Sequence, residues 1–327
     1  FRESVCSFLR RRHGVSVSPE ELVQTPGVVY ALPRAIRAMT EEGEGIILLT
    51  PVYYPFYRVI RDTGRTAVPC PLRYEEGRYS IDFALLETLA SRRENKALLL
   101  CSPHNPVGRV WTACEVRAMA EIAERYGLFV IADEIHFDLV FPGHTHTSFG
   151  TLEGEIAGRT ILCTAPSKTF NLAGMQCSNI VIPNAELRAA YKATMSSYIN
   201  GHLNIMAYEA ATLAYRHCEG WLDELLDLLE TNRKTAVEFF ASHFPKAIVS
   251  PLEGTYLLWV DLRAYFADQN EQEEFMTKKA LLFLDEGYLF GEEGSGFERI
   301  NLACPTSLLE ESLARMAQAY EKDSAAA

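Results

Sequence analysis

The sequence has no long basic run and fewer positive than negative side chains. Its 31 Lys and Arg residues stand against 43 Asp and Glu residues, which gives a formal net charge of −12. The densest arginine cluster, Arg10-Arg11-Arg12, is too short to bind a nucleic-acid backbone. We therefore expect neither nucleic acid nor an anionic membrane surface as a partner.

Long apolar runs are missing as well. The longest ones, such as Leu128-Phe129-Val130-Ile131-Ala132, have about the length of a strand. A membrane-spanning helix needs roughly 20 apolar residues in a row. No signal peptide is visible near Phe1, and the segment from there to Gly14 is typical of a helix in the middle of a fold. We expect no membrane segment, and we expect the chain to be a fragment.

Cysteines are few and irregularly spaced. The eight cysteines form no C-x-x-C pair and no Cys/His cluster with zinc spacing, so we expect neither a disulfide framework nor a metal site. His144 and His146 lie two residues apart, but nothing nearby completes a ligand set, and we expect a solvated loop there. Reduced cysteines are typical of a cytoplasmic protein, which is the expected location.

What is present indicates a folded α/β protein. The 327 residues, 48% hydrophobic and 23% charged, fit about two globular domains. A large domain is predicted over residues 1–215 and a smaller α+β domain over 216–327. Short branched apolar runs alternate with amphipathic stretches, which indicates a mostly parallel sheet. The predicted strands are Ile46 to Leu49, Ala97 to Cys101, Leu128 to Ala132 and Thr160 to Cys163.

The clearest predicted helix runs from Ala113 to Tyr126. Thr112 and Glu115 form a T-x-x-E capping box before it, and Gly127 ends it. A predicted strand follows at once, as a β-α-β crossover requires. The sequence therefore supports parallel neighbouring strands in this part of the chain.

Polar and aromatic residues follow each of the four predicted strands. In an open parallel sheet the ligand binds beyond the carboxyl ends of the strands, so these residues should lie close together. The four segments supply an aromatic ring, an amide, a carboxylate and a lysine: Thr50-Pro51-Val52-Tyr53-Tyr54-Pro55-Phe56, Ser102-Pro103-His104-Asn105-Pro106, Asp133-Glu134-Ile135-His136 and Ser167-Lys168-Thr169-Phe170-Asn171.

This set of groups is what a pyridoxal phosphate site needs. The sequence at this point resembles the fold-type I pyridoxal-phosphate enzymes. Within them it is similar to the aminotransferase-like carbon–sulfur β-lyases of the MalY/PatB cystathionine β-lyase type. The resemblance covers nearly the whole chain, and further motifs that carry it are Arg12-His13-Gly14, Thr25-Pro26-Gly27-Val28-Val29 and Arg299-Ile300-Asn301-Leu302-Ala303-Cys304-Pro305.

The resemblance implies a role for each strand-end residue. Lys168 corresponds to the Schiff-base lysine that also moves protons. Asp133 corresponds to the partner of the pyridinium nitrogen, and Asn105 to the amide on the phenolic oxygen, with the Asn105-Pro106 peptide bond expected to be cis. Tyr53 is expected to stack on the cofactor ring, with Tyr54 as its competitor. His136 is expected either to reach the phenolic oxygen or to be a core histidine.

Two further positions are implied for anionic groups. A phosphate loop is expected ahead of a helix from Pro33 to Met39, with Ala31 and Leu32 donating backbone N–H groups. Aminotransferases of this fold often have an arginine eight residues after the lysine, where this chain has Gln176, so Ser167 and the helix dipole would hold the phosphate. Arg299 corresponds to the arginine that binds the substrate α-carboxylate, while Thr306 stands where the family often has another arginine.

The implied function is a homodimeric lyase that cleaves the Cβ–S bond of L-cystathionine or a related cysteine conjugate. Its products would be a thiol, pyruvate and ammonia. An aminotransferase is the alternative, because it shares the first steps. A more distant alternative is the aminotransferase-like domain of a transcriptional regulator, which the acidic composition does not favour. In this family a segment that precedes the matched region completes the substrate pocket and reaches the neighbouring subunit, and we expect that segment to be missing here.

Overall fold

The computed structural model describes residues 1–196 and 203–326. Within them, no helix combines the length and the apolar composition needed to cross a membrane. The β-strands are β1 (Leu22–Thr25), β2 (Gly45–Thr50), β3 (Thr66–Pro71), β4 (Arg73–Glu75), β5 (Arg78–Ser80), β6 (Asn95–Cys101), β7 (Phe129–Asp133), β8 (Thr160–Thr164), β9 (Ser178–Val181), β10 (Ile248–Val249), β11 (Leu257–Asp261), β12 (Asp285–Glu286) and β13 (Phe297–Asn301).

The α-helices lie before, between and after these strands. They are α1 (Arg2–His13), α2 (Val28–Met39), α3 (Pro55–Asp62), α4 (Phe83–Ala90), α5 (Ala113–Tyr126), α6 (Glu155–Arg159), α7 (Pro166–Thr169), α8 (Ala185–Ser196), α9 (Ile205–His217), α10 (Glu219–His243), α11 (Gln269–Glu274) and α12 (Thr306–Ala326).

A seven-stranded sheet forms the centre of the fold, in the order β1-β9-β8-β7-β6-β2-β3. The pairs from β8 to β3 are parallel, whereas β9 is antiparallel to both of its neighbours. β1 therefore runs in the same direction as β8. The carboxyl ends of β1, β2, β6, β7 and β8 consequently meet at one edge of the sheet.

Both faces of this sheet are covered, which is why its central strands are almost continuously apolar. Alternate residues along β2 enter different cores: Ile46 and Leu48 pack with α2, while Ile47 and Leu49 pack on the opposite face with α5. This period-two alternation arises because successive side chains of a strand point to opposite sides. The result is a three-layer α/β/α arrangement.

A second, antiparallel sheet has the order β10-β11-β13-β12. It lies in the C-terminal part of the chain with α10 and α12, as the predicted α+β character of that part requires. The predicted domain change at residue 215 falls in the last turn of α9, where Tyr215 is buried. The division into 1–215 and 216–327 stays a prediction.

The strongest sequence patterns match the structure closely. Each predicted strand of the parallel sheet is present with ends within two residues of the expected ones. Helix α5 has the predicted bounds; the Thr112 hydroxyl accepts the Glu115 N–H, and Gly127 ends the helix with φ 69°. These patterns succeed because capping and periodicity are local properties of the chain.

Two expectations about local structure are wrong. The predicted helix from Pro33 to Met39 begins five residues earlier, at Val28. The expected solvated loop at His144 and His146 holds only for His144, which is exposed. The side chain of His146 is buried, and its Nε2 atom lies 3.0 Å from Oε2 of the fully buried Glu134. A buried carboxylate needs a hydrogen-bonded partner, which periodicity in the sequence does not reveal.

Candidate active site

A cavity of about 200 Å³ opens at the carboxyl edge of the parallel sheet. The loop after β2 supplies Tyr53, and the loop after β6 supplies Asn105. Asp133 ends β7, and Lys168 lies in the single turn of α7 that follows β8. Arg299 comes from β13 of the second sheet. The sheet edge and the second sheet thus bring together six of the predicted residues, which line the cavity: Tyr53, Asn105, Asp133, His136, Lys168 and Arg299.

Asp133 is a buried carboxylate with few neighbouring groups that stabilise its negative charge. It is 3% exposed, and one of its oxygens accepts a hydrogen bond from the Ile135 N–H at 3.3 Å. Burial raises the pKa of Asp133 to about 7, and the nearby negative charge of Glu134 adds to the rise, while the ammonium of Lys168 opposes it. A cationic group beside Asp133 would offset this penalty.

His136 lies three residues later in the same segment. Burial lowers the pKa of its imidazole to about 3, and the positive charges of Lys168 and Arg299 lower it further. Its Nδ1 atom is buried without a hydrogen-bond partner among the described residues. His136 is therefore a neutral ring with one ring nitrogen free to bind a polar group.

Arg299 is held by two groups of the cavity. Its Nη1 donates to Oδ1 of Asn105 at 2.9 Å, and its Nη2 forms an ion pair with Asp285. The guanidinium carbon also lies 4.7 Å from the ring centroid of Phe290. The buried Nε has no partner among the described residues. The guanidinium is thus oriented but retains donors for a carboxylate.

Asn105 follows the cis Ser102-Pro103 bond and precedes its own cis bond to Pro106, as expected. Its backbone carbonyl accepts the Tyr53 N–H at 3.1 Å, which ties two of the strand-end loops together. Since its Oδ1 accepts from Arg299, its Nδ2 remains to donate to another group.

Two tyrosines line the cavity side by side. The rings of Tyr53 and Tyr54 have centroids 5.5 Å apart. Tyr53 is the more buried and packs edge-on against Phe56, while Tyr54 is 40% exposed and packs edge-on against Phe290. Burial raises the pKa of Tyr53 to about 12, so its hydroxyl stays protonated. The choice of Tyr53 as the stacking ring stays a prediction.

The expected phosphate donors need a correction. Ala31 and Leu32 are the fourth and fifth residues of α2, and the Ala31 N–H already donates to the Gly27 carbonyl at 3.3 Å. The unpaired amides of a helix belong to its first turn, here Val28, Val29 and Tyr30. α2 begins three residues after β1, at the edge of the sheet where the other strand-end residues lie.

Three further predicted positions lie outside the cavity lining in the described part of the chain. Ser167 is half-buried beside Lys168 in α7. Gln176 is exposed and has a left-handed backbone conformation with φ 51°. The Thr306 hydroxyl donates to Oδ1 of Asn232 at 2.7 Å, so this residue stabilises the start of α12.

Sequence reasoning missed some cavity residues. Asp285 faces Arg299 across the β12–β13 pair, but β12 is only two residues long and has no recognisable pattern. Tyr256, just before β11, also lines the cavity and belongs to none of the sequence motifs. The position of Asn301 could be predicted from the sequence, because residues two apart in a strand place their side chains on the same face and Asn301 lies two residues after Arg299 in β13.

The comparison with known proteins identifies the family of this chain. The sequence profile of the family "Aminotransferase class I and II" matches residues 1–316. The chain belongs to this family. The α/β fold expected from the resemblance, with a mostly parallel sheet, is confirmed.

Individual known proteins are similar to this chain over nearly its whole length. The cystathionine beta-lyase PatB of Bacillus subtilis is 38% identical over 96% of this chain and 81% of its own length. The protein MalY of Escherichia coli is 32% identical over 98% and 81%. The crystal structure of cystalysin from Treponema denticola, which contains pyridoxal 5'-phosphate, superposes with a TM-score of 0.96. It is 42% identical over 98% of this chain and 82% of its own.

Proposed function

We propose that this chain is a pyridoxal-phosphate-dependent carbon–sulfur β-lyase. It cleaves the Cβ–S bond of L-cystathionine or a related L-cysteine S-conjugate and releases a thiol, pyruvate and ammonia. The observation that carries this proposal is the single cavity lined by Lys168, Asp133 and Arg299. The similarity to PatB, named a cystathionine beta-lyase, and to cystalysin, whose structure contains the cofactor, supports it.

The unpaired polar groups of the cavity fit this cofactor. When bound, pyridoxal phosphate supplies an aldehyde that links covalently to an amine and a ring that accepts electron density from the substrate Cα. The groups that would hold it are the Lys168 amine, the Asp133 carboxylate at the ring nitrogen, Asn105 Nδ2 and His136 at the phenolic oxygen, the Tyr53 ring by stacking, and the first-turn amides of α2 at the phosphate.

Asp133 favours the protonated form of the bound ring. Its carboxylate is buried and lacks a strong hydrogen-bond partner among the described residues, so its negative charge is stabilised most by an adjacent positive charge. Asp133 would therefore stabilise a proton on the ring nitrogen of the cofactor when it is bound.

Arg299 and Lys168 act on the substrate. The free donors of Arg299 bind the α-carboxylate, a task for which its planar fork is suited, and Asn105 keeps the guanidinium oriented. With the carboxylate fixed, the Cα–H bond keeps a constant orientation. Lys168 Nζ then removes the Cα proton. The electron pair left on Cα forms a Cα=Cβ double bond as the thiolate leaves Cβ and takes up a proton. Water then hydrolyses the released 2-aminoacrylate to pyruvate and ammonia.

An aminotransferase would use the same groups for the first proton removal and then return the proton to the cofactor. Gln176 in place of the expected arginine favours the lyase. The proposed elimination regenerates the starting enzyme without a second substrate, whereas transamination needs a 2-oxo acid to do so.

This difference defines the experiment. The holoenzyme is incubated with L-cystathionine, and pyruvate and free thiol are followed with and without an added 2-oxo acid. We expect many turnovers without the acid and equal amounts of the two products. A single turnover that produces pyridoxamine phosphate and neither product would contradict the lyase assignment and support the aminotransferase.

The assembly and the location of the protein also stay proposals. A homodimer is supported by Ile205 and Met206 at the start of α9, which are 75% and 63% exposed and apolar enough to favour contact with a partner. A cytoplasmic location is supported by the cysteines, all eight of which are free.

A further inference from the structure

A fully buried carboxylate outside the cavity, Asp138, joins two distant segments of the chain. Its Oδ2 accepts a hydrogen bond from the Thr169 hydroxyl at 2.7 Å, and its Oδ1 lies 2.7 Å from Nε2 of His13. Nε of Arg12 is 3.7 Å from the same Oδ1. These contacts span 31 residues on one side and 125 on the other, so only the tertiary fold creates them.

Thr169 directly follows Lys168 in α7, which is a single turn of four residues. A turn of this length has few internal backbone hydrogen bonds; one of them runs from the Phe170 N–H to the Pro166 carbonyl at 2.9 Å. Thr169 is completely buried, and its hydroxyl donates to a charged oxygen. Such a charge-assisted bond is strong and directional, so it restrains the rotation of the turn that carries Lys168.

Asp138 belongs to the segment that also carries Asp133, five residues earlier. Two hydrogen bonds between backbone N–H and carbonyl groups within residues 134–139, of 3.0 and 2.9 Å, fold this segment into successive turns. The ring of His13 stacks on Phe137 in the same segment, with centroids 3.9 Å apart and planes at 12°. The bond between Thr169 and Asp138 therefore connects the turn of the lysine to the segment of the pocket carboxylate.

We propose that Asp138 is a positioning residue that holds the Lys168 amine, through Thr169, in a constant orientation relative to Asp133. This inference rests on the proposed function, because it takes Lys168 as the cofactor lysine. Without the bond the turn gains rotational freedom, and the amine spends less time in reach of the Cα proton. Arg299 is untouched, so kcat falls while KM is retained.

The test compares two variants of Thr169 in the holoenzyme. Thr169→Val has nearly the same shape but lacks the hydroxyl, whereas Thr169→Ser keeps the hydroxyl and lacks the methyl group. We expect Thr169→Val to lower kcat by about tenfold with KM within about twofold. We also expect it to shift the pH midpoint of the absorbance of the lysine-bound cofactor. Thr169→Ser should restore both properties.

A matched control is Thr160→Val at the opposite end of β8. Thr160 is also buried, and its hydroxyl donates to the Ile156 carbonyl at 2.8 Å. This variant should lower the midpoint of thermal unfolding but keep the wild-type kcat and absorbance titration. It therefore separates a general loss of stability from a displaced lysine.

Two results would overturn the inference. One is a Thr169→Val enzyme with the wild-type kcat and absorbance titration. The other is equal impairment of the Val and Ser variants, which would show that any change at this buried position disturbs the turn and that the hydroxyl has no specific role. The absorbance titration needs no substrate, so it tests the hydrogen bond between Thr169 and Asp138 even if the wild type fails to cleave cysteine conjugates. That failure would count against the proposed function alone.

Discussion

Replacing Asp133 with asparagine is expected to protect the cofactor-free protein against rising pH. Burial raises the pKa of this carboxyl from 3.8 to about 7 in the folded protein. In the unfolded chain the carboxyl titrates at its ordinary value. Between these two values the folded protein holds a proton that the unfolded chain has released, so the free energy of unfolding falls as pH rises.

The size of the effect follows from the two pKa values. Their difference corresponds to about 4 kcal/mol once the titration is complete in both states. Between pH 5 and pH 8 only part of this titration takes place, and the free energy of unfolding of the wild type falls by roughly 3 kcal/mol through Asp133. Asparagine has the same shape and no proton to release, so the variant lacks this loss.

The assay is urea unfolding of the cofactor-free proteins at pH 5 and pH 8, followed by the fluorescence of the buried Trp111 and Trp259. The stability of Asp133→Asn relative to wild type should increase by roughly 3 kcal/mol between the two pH values. The control is Glu298→Gln, because burial raises the pKa of Glu298 to about 8 in the second sheet. Adding Glu298→Gln to the wild type and to Asp133→Asn should leave the pH-dependent difference in stability between these two proteins unaltered. A parallel decline of wild type and Asp133→Asn would refute the reasoning.

Two further predictions concern the candidate catalytic and substrate-binding residues. Lys168→Ala should abolish covalent cofactor attachment, measured by borohydride reduction and mass spectrometry; an adduct that persists on another lysine would contradict the assignment. Arg299→Ala should raise KM for the amino-acid substrate by roughly 10- to 100-fold, because charged hydrogen bonds to the α-carboxylate are lost. Arg299→Lys should recover little of it, since an ammonium cannot reproduce the fork; an unchanged KM in the alanine variant would exclude carboxylate binding by this residue.

Local patterns in the sequence were sufficient for much of the large sheet. Helix α5 is delimited by its capping box and by Gly127, and β6 and β7 by their apolar runs. Helix α2 begins five residues before the predicted start at Pro33, and this proline lies inside the helix. Proline is favoured at the first turn but does not mark it uniquely.

The sequence by itself determined which residues follow each parallel strand, and hence that Tyr53, Asn105, Asp133 and Lys168 meet at one edge of the sheet. This is possible because parallel strands with intervening helices must end on the same side. The substrate role of Arg299 was implied only by the family resemblance, and the structure shows that Arg299 lies in the second sheet.

The tertiary structure alone decided the contacts between segments that are distant in sequence. Asp285 meets Arg299 through a strand of two residues, and Asp138 meets both His13 and Thr169. No periodic pattern encodes such pairs, because each depends on how whole elements pack against one another. Burial raises the pKa of Asp133, and burial is likewise a property of the packed molecule and not of the local sequence.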